Sequence, residues 1–262
     1  MTGLSLPANV AEIVGNGILS RDTVGCSASA VFRVQGLAGG ANAYLKILEA
    51  VEDDDLLRER DVLKWLTSRL PVPRVLHFAQ EGQTQYLLMT EAPGSSAADE
   101  MQATEAERVI CRLAEALRTV HDVDISACPF DMRLDVKLAE ARARIDSGLV
   151  DEGDFEGVNM GRSAMDIYHE LIATRPDYEE LVFTHGDYCL PNIMLKDGAV
   201  SGFLDLGRAG IADRYTDLAL AARSIRHNTG DERLVDLFFH AYGLGEVDWR
   251  KVDYYILLDE LF

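Results

Sequence analysis

The feature that most constrains the fold is a short polar segment at residues 185–192, His-Gly-Asp-Tyr-Cys-Leu-Pro-Asn, followed by Asp-Leu-Gly at 205–207. Apolar, strand-like runs bracket both pieces, and a hairpin turning at Asp197-Gly198 is predicted between them. A fold that accepts this pattern must bring an aspartate, an asparagine and a second aspartate together from a loop and the hairpin after it.

Asp187 and Asn192 have the spacing of the aspartate and asparagine in a protein-kinase catalytic loop, and Asp205 with Gly207 resembles the D-F-G turn. Phosphoryl transfer needs one carboxylate to orient the attacking hydroxyl and oxygen ligands to hold Mg²⁺. We therefore predict Asp187 as the catalytic base, and Asn192 and Asp205 as Mg²⁺ ligands. Each piece alone is typical of an ordinary turn, but the ordered set favours catalysis.

A kinase also needs a cation on the phosphates of ATP, oriented by a glutamate from a helix. Lys46 ends a predicted strand and Glu59 lies on the next helix, so we predict this pair. Tyr44, on the same face as Lys46, either stacks on adenine or belongs to the core. Ser27 either caps the β-phosphate or lies in a plain turn. No Walker A motif occurs, which excludes a P-loop NTPase.

Periodicity predicts an α+β chain with a small β-rich N-lobe and a larger, mainly helical C-lobe. The linker-like stretch after residue 90 divides a nucleotide-binding lobe, 1–93, from a catalytic and substrate-binding lobe, 94–262. The predicted strands are 31–34, 41–48 and 86–89. The predicted helices are 56–70, 104–121, 134–145, 164–173, 213–227, 231–242 and 248–261.

Charge and composition exclude several classes of protein. The net charge of −19 argues against a nucleic-acid partner. Of this charge, −16 falls in residues 94–262, which would attract a polycation or simply keep the protein soluble. No membrane-spanning run or signal peptide is predicted, and the four scattered cysteines fit reduced thiols in the cytoplasm.

These residues resemble the aminoglycoside 3′-phosphotransferases over nearly the whole chain. The matching segments are 44–46, 71–76, 88–92, 184–187, 191–193, 201–208, 212–214 and 254–262. The H-G-D-x-x-x-x-N core is shared by many small-molecule kinases. The G-x-x-D-L-G-R segment and the L-L-D-E-L-F end are much more specific to this family.

The resemblance implies a protein-kinase-like two-lobed fold with nucleotide between the lobes and the drug against the C-lobe. It implies that Thr90 and Ala92 present backbone groups to adenine. The residues that would frame or cover the aminoglycoside are Arg208, Arg223, Asp259, Glu260, the terminal carboxylate of Phe262, and Asp154 and Glu156 on a loop. From the residues alone, Asp259 and Glu260 also fit a solvated helix end, and Arg223 a structural ion pair.

The predicted activity is therefore transfer of the γ-phosphoryl group of ATP to the 3′-hydroxyl of an aminoglycoside, which would confer resistance. The alternatives are a choline- or homoserine-kinase-like enzyme, and a nucleotide-binding pseudokinase. A choline site would favour an aromatic cage, and only Tyr254 and Tyr255 cluster near the end of the chain. The sequence leaves the oligomeric state and the choice of drug open.

Overall fold

The computed structural model of the chain describes residues 6–22, 29–37, 40–49, 55–103, 106–155 and 157–262. These residues form two units. The first runs to Gly94 and also includes Ser201–Gly207; the second contains Ser95–Val200 and Arg208–Phe262. The return of residues 201–207 to the first unit was not predicted from the sequence.

The first unit is built on a five-stranded antiparallel sheet of order β1-β2-β3-β5-β4. Its strands are β1 (Ile18–Arg21), β2 (Ala30–Gln35), β3 (Ala43–Glu49), β4 (Val75–Glu81) and β5 (Thr84–Thr90), and its helices are α1 (Ala8–Val14) and α2 (Leu56–Leu66). The predicted strands are confirmed as β2, β3 and β5. The first helix and strands β1 and β4 were not predicted.

Alternation along β3 separates a core face from a polar face. Ala43, Leu45 and Ile47 join one apolar cluster that includes Val10 and Val14 of α1. Successive strand residues point to opposite faces, so Tyr44 and Lys46 lie on the other side of the sheet. A buried lysine, 8% exposed, is thereby placed on the face away from α1.

Helix α2 begins with a side-chain cap, since the Asp55 carboxylate accepts a hydrogen bond from Leu57 N at 2.8 Å. The prediction that this helix continues to Leu70 is wrong, because it ends at Leu66. Arg69 N instead bonds to Leu66 O at 2.7 Å, the tightened turn typical of a helix end. Pro71 follows, and the residue before a proline is driven out of helical geometry.

The second unit is mainly helical. Its helices are α3 (Ala97–Ala103), α4 (Ala106–His121), α5 (Leu134–Ser147), α6 (Ala164–Ala173), α7 (Tyr215–Thr229), α8 (Glu232–Tyr242) and α9 (Trp249–Asp259). All the predicted helices of this region are confirmed, and only α3 was not predicted. Helix α7 begins later than predicted because the Asp213 carboxylate accepts a hydrogen bond from Tyr215 N at 3.0 Å. None of the helices described is long and apolar enough to cross a membrane.

Short strands frame the loops at residues 185–192 and 204–209. Strand β7 (Leu181–Thr184) pairs antiparallel with β10 (Gly210–Asp213). Strands β6 (Ser95–Ser96), β8 (Ile193–Lys196) and β9 (Ala199–Phe203) follow the order β6-β8-β9. The predicted hairpin is confirmed, with φ of 53° at Asp197 and 76° at Gly198. Positive φ at both central residues is the geometry of a type I′ turn.

A buried ion pair fastens the start of α9 to β10. Lys251 Nζ donates to Asp213 Oδ2 at 2.7 Å, and both side chains are almost fully buried. The Lys251 ammonium also lies 4.2 Å from the centre of the Tyr178 ring. Because α9 packs on α6 and α7, this pair fixes the helix that leads to residues 259–262.

We expect Lys251→Met to lower the free energy of unfolding by about 3–5 kcal/mol, because Asp213 is left as a buried charge without its partner. Urea unfolding measures the change. The matched control is Arg250→Met, one residue away and 97% exposed, with an expected change under about 0.5 kcal/mol. Equal losses in the two variants would contradict this account of the pair.

Candidate active site

Three predicted nucleotide-site residues meet in the first unit. Lys46 Nζ on β3 donates to both carboxylate oxygens of Glu59 on α2, at 2.8 and 2.9 Å. The same ammonium donates to Asp205 Oδ1 at 2.6 Å. The structure thus forms the predicted lysine–glutamate pair and adds the aspartate of the Asp-Leu-Gly turn to it.

Lys46 stays a cation in this setting. Burial alone would lower its pKa, but the charges of Glu59 and Asp205 outweigh that effect and the pKa is raised. A lysine with a raised pKa keeps its proton throughout the neutral range. A fixed positive charge is therefore held where strand β3 and helix α2 meet.

Asp205 is held in an unusual backbone conformation, with φ of 58°. Its turn is tied to the first unit at both ends, since Phe203 N donates to Pro71 O at 2.9 Å and Arg58 Nε donates to Gly207 O at 2.7 Å. The Asp205 side chain is 46% exposed. A left-handed non-glycine residue costs energy and is often retained at functional sites, which is consistent with a carboxylate that must face a ligand.

The segment after β5 contains the predicted adenine contacts. Thr90 N donates to Arg74 O at 2.9 Å, so its amide is already used. The backbone of Ala92 makes no hydrogen bond within the described ranges. Tyr44 is half-buried, and burial raises its pKa. Ser27, the predicted phosphate cap, lies outside the described residues.

A polar brace that the sequence did not predict supports this segment. Arg33 Nε donates to Glu91 Oε1 at 2.7 Å, and Asn42 Nδ2 donates to Glu91 Oε2 at 2.8 Å. Glu91 lies between Thr90 and Ala92, so both flanking backbone groups are held in place. No spacing rule pairs residues this far apart in the chain.

The predicted catalytic loop lies in the second unit, between β7 and a 3₁₀ turn at Leu190–Asn192. Asn192 Nδ2 donates to Asp187 Oδ2 at 2.8 Å and to Asp187 O at 3.1 Å. The amide nitrogen of Asn192 is therefore committed to the aspartate. Its oxygen is the atom with which it could ligate a cation.

Asp217 anchors this loop. Its carboxylate is fully buried and accepts hydrogen bonds from His185 N at 2.7 Å and Gly186 N at 2.8 Å. His121 Nε2 lies 3.1 Å from the same carboxylate, and His121 Nδ1 lies 2.7 Å from the Tyr242 hydroxyl. Asp217, His121 and Tyr242 were not predicted from the sequence. The available signal was Asp217 itself, an aspartate in the mostly apolar first half of helix α7.

His185 is the first residue of the predicted catalytic loop. The structure places its ring fully buried, with Tyr188 packed edge-on at 5.7 Å between ring centres. Its Nδ1 accepts from Asp187 N at 3.3 Å. The imidazole therefore shapes the loop from behind Asp187.

Gly186 joins the loop to the residues after the Asp-Leu-Gly turn. Its φ is 84°, and a Cβ there would lie 2.2 Å from Arg208 O. Only glycine tolerates both the left-handed backbone and this approach. Arg208 is thereby packed directly against the catalytic loop.

The predicted acceptor residues gather at the end of α9. Arg208 Nη1 donates to Asp259 Oδ1 at 3.1 Å, and Arg223 Nη2 donates to Asp259 Oδ2. Burial opposes the charge on Arg223, yet Asp259 outweighs it and the pKa of Arg223 is raised. Arg223 thus forms the structural ion pair considered as its alternative role, and its partner is itself a predicted substrate residue.

Glu260 and Phe262 complete this cluster. Asn159 Nδ2 donates to Glu260 Oε1 at 3.2 Å, so the loop between α5 and α6 reaches the end of α9. Asp154 is exposed on that loop, and Glu156 lies outside the described residues. The Phe262 ring is faced by Lys137 and Arg144 of α5 and by Arg208. Asn159, Lys137 and Arg144 were not predicted.

A small cavity of about 30 Å³ connects the loop with this cluster inside the second unit. Its lining includes Lys137, Thr184, Gly186, Tyr255, Asp259 and Phe262. Gly186 of the loop, Asp259 and Phe262 are therefore neighbours around one space.

The two predicted Mg²⁺ ligands have suitable chemistry. Among the described residues, no group of three or more His, Cys, Asp or Glu side chains could hold a metal alone. Asp205 in the first unit carries carboxylate oxygens and Asn192 in the second carries an amide oxygen, and each is a hard donor of the kind that Mg²⁺ prefers.

Comparison with known proteins gives consistent matches. The model of the phosphotransferase enzyme family matches residues 19–255. The chain is 40% identical to an aminoglycoside 3′-phosphotransferase of Niallia circulans, covering 98% of this chain and 97% of the relative. It is 42% identical to one of Enterococcus faecalis, covering 92% of each.

Solved structures agree with the predicted fold. The crystal structure of an aminoglycoside 3′-phosphotransferase of type VIII has a TM-score of 0.83 at 32% identity, covering 93% of this chain and 94% of that one. An aminoglycoside phosphotransferase of Streptomyces rimosus, solved in complex with ADP and streptomycin, has a TM-score of 0.81 at 28% identity, covering 96% and 95%. The predicted α+β, protein-kinase-like fold is confirmed.

We expect Gly186→Ala to destabilise the protein more than Gly198→Ala does. Both glycines have positive φ, but only at position 186 would the new Cβ meet backbone, whereas at 198 the nearest atom is the Arg108 side chain at 3.6 Å. The φ cost common to both is about 1–2 kcal/mol, and overpacking adds about 1–3 kcal/mol at 186. Urea unfolding of the two variants measures the difference, and equal losses would show that the Arg208 contact is not tight.

Proposed function

The chain belongs to the phosphotransferase enzyme family, and we propose that it transfers the γ-phosphoryl group of ATP to the 3′-hydroxyl of aminoglycoside antibiotics. The observation that carries the proposal is the arrangement in the second unit. There, a loop with Asp187 bonded to Asn192 is packed through Gly186 against Arg208, which in turn holds Asp259. The proposed phosphoryl-transfer loop and the proposed acceptor residues would thus be joined by direct contact.

In the proposed reaction, Asp187 accepts the proton of the 3′-hydroxyl as its oxygen bonds to the γ-phosphorus. The bond from that phosphorus to the β–γ bridging oxygen breaks, and ADP leaves. The Asn192 side chain holds the Asp187 carboxylate in one rotamer through the 2.8 Å bond. Little covalent chemistry is asked of the protein, because phosphoryl transfer depends mainly on positioning and charge.

On the nucleotide side, Lys46, held by Glu59, would neutralise the phosphates, and the backbone near Thr90 and Ala92 would bind adenine. Asp205 and Asn192 would hold Mg²⁺, which when bound neutralises charge that develops on the phosphate oxygens. The buried lysine–glutamate pair favours this assignment, because such a pair would be expensive to retain without a ligand-related role. In the same proposal, Tyr44 would stack on adenine and Ser27 would cap the β-phosphate.

On the acceptor side, Asp259 and Glu260 would bind drug ammonium groups through charge-assisted hydrogen bonds. Arg208, Arg223, Asp154, Glu156 and Phe262 would frame or cover the ligand. The charge of −16 on residues 94–262 supports a polycationic ligand, whose local concentration such a field raises. Phosphorylation would add negative charge at a hydroxyl needed for ribosome binding, so resistance would follow.

A coupled ADP-release assay against kanamycin, neomycin, a 3′-deoxy aminoglycoside and choline tests the proposal. We expect turnover with kanamycin and neomycin and none with the 3′-deoxy compound or choline. Turnover of the 3′-deoxy compound would show that the enzyme phosphorylates a hydroxyl other than the 3′-hydroxyl. Turnover of choline alone would identify a different acceptor class.

We expect Asp187→Asn to lower kcat by about 10²–10⁴-fold, because the amide keeps the shape of the loop but cannot accept the proton. Nucleotide affinity, measured by calorimetry, should change less than about threefold, since Asp187 is not assigned to bind ATP. The matched control is Asp197→Asn in the exposed hairpin turn, which should retain full activity. An active Asp187→Asn variant would refute the assigned base.

We expect Lys46→Met to weaken nucleotide binding and lower kcat/KM for ATP by about 10²-fold or more, as the cation on the phosphates is lost. Lys64→Met, at an exposed position of the same unit, serves as the control and should behave as wild type. Thermal unfolding of both variants checks that Glu59, left alone, has not unfolded the unit. A folded Lys46→Met variant with unchanged kcat/KM for ATP would contradict the assignment.

A further inference from the structure

We propose that Lys137 and Arg144 of α5 are positioning residues for the acceptor, which clamp the end of α9 and so hold Asp259 and Glu260 ready for the ammonium groups of the drug. This inference rests on the proposed function, because it concerns how the acceptor site is kept in shape. Neither residue was predicted from the sequence, and neither is assigned a contact with the ligand.

The two cations lie on the same side of one helix. Residues seven apart are two turns apart and share a face, and both side chains reach the segment after α9. Lys137 Nζ lies 3.2 Å from the centre of the Phe262 ring. Arg144 Nε donates to Leu261 O at 2.8 Å, and its guanidinium lies 5.5 Å from the same ring.

The clamp acts next to the acidic residues. Helix α9 ends at Asp259 with Glu260 as its C-cap. Beyond it, the backbone makes short-range bonds from Glu260 N and Leu261 N to Leu258 O and from Phe262 N to Asp259 O, and the Leu261 side chain is buried. Helix ends fray when such bonds stand alone. Contacts with the Leu261 carbonyl and the Phe262 ring therefore restrain the segment that begins with Asp259.

Lys137 is too enclosed to be an ordinary surface charge. Its side chain is 15% exposed, and its ammonium pairs with Glu140 at 3.2 Å. The charged groups that face it are Glu140 and Arg144 from its own helix, Arg208 from the 3₁₀ turn at 206–208, and Asp259 from α9. Burial, assisted by Arg208 and opposed by Glu140 and Asp259, lowers the pKa of Lys137 to about 8.

A cation placed over an aromatic ring in a desolvated site is attracted by the ring's negative face. That attraction offsets the unfavourable surroundings of Lys137 and depends on its proton. The Lys137 clamp is therefore present below pH 8 and is lost as pH rises through that value. Arginine at the same position would keep its charge and its attraction to the ring throughout this range.

Steady-state kinetics with kanamycin tests the proposal in Lys137→Met, Lys137→Arg, Arg144→Met and the control Arg142→Met, whose side chain pairs instead with Asp146. We expect KM for the drug to rise about 3–30-fold in Lys137→Met and Arg144→Met, from the loss of a partly desolvated cation–π contact. The value of kcat and the KM for ATP should stay near wild type. Lys137→Arg should restore a low KM.

The pH profile separates positioning from a purely structural role. We expect the ratio of the wild-type KM to the Lys137→Arg KM to be near one at pH 7 and to rise above pH 8, because only the wild type loses its charge. Comparing two variants at each pH cancels the titration of the drug's own amines. A flat ratio, or a lower KM in Lys137→Met because a repelling charge has been removed, would overturn the proposal.

Hydrogen exchange supplies a readout that needs no aminoglycoside. We expect the amides of Leu261 and Phe262 to exchange faster in Lys137→Met and Arg144→Met than in wild type or Arg142→Met. Unchanged exchange would overturn the clamp. If these two variants exchange faster but the wild-type enzyme does not turn over kanamycin, the clamp is supported and only the proposed substrate is refuted.

Discussion

The second unit depends on the Asp217 carboxylate, which is fully buried and accepts the backbone amides of His185 and Gly186. A buried carboxylate is costly unless its lone pairs are satisfied, and here two amides and His121 satisfy them. Residues 185–189 form neither a helix nor a strand. The Asp217 carboxylate therefore accepts the backbone hydrogen bonds that a neighbouring strand would otherwise accept. Helix α7 also bears Arg223, and one rigid element therefore sets both the loop and one partner of Asp259.

Close packing transmits this order to the acceptor residues. Gly186 leaves no room for a side chain beside the Arg208 carbonyl, so any displacement of the loop would displace Arg208. Arg208 in turn contacts Asp259 and faces the Phe262 ring. The position of Asp187, the proposed base, and the positions of the proposed drug-binding acids are thus linked through Arg208. A close-packed interior resists small displacements of its side chains and backbone. These contacts therefore favour a single arrangement of the loop and the end of α9.

Sequence-based prediction succeeded where a motif or a local pattern was present. The Asp197-Gly198 turn and the long amphipathic helices each left a local signal, and the Lys46–Glu59 pair was predicted from the kinase-like loop motif. The structure forms all of them. Prediction failed where a contact joins distant elements. Asp217 with His121, and Lys137 with Phe262, are pairings that only the tertiary fold creates. Short elements such as β1 and α3 were missed because so few residues give no reliable period.

The proposed acceptor site contains arginine and lysine side chains as well as acids. Preorganisation of the acids explains why cations would lie beside a polycationic ligand. An isolated carboxylate on a frayed helix end would have to be ordered when the drug binds, and that ordering costs affinity. Asp259 is instead held by two arginines, and Glu260 by Asn159. The cations weaken the net field of the site, but they fix the directions in which the acid oxygens point. For a ligand whose hydroxyl must lie beside Asp187, fixed direction contributes more to turnover than raw charge, because catalysis depends on alignment within the bound complex.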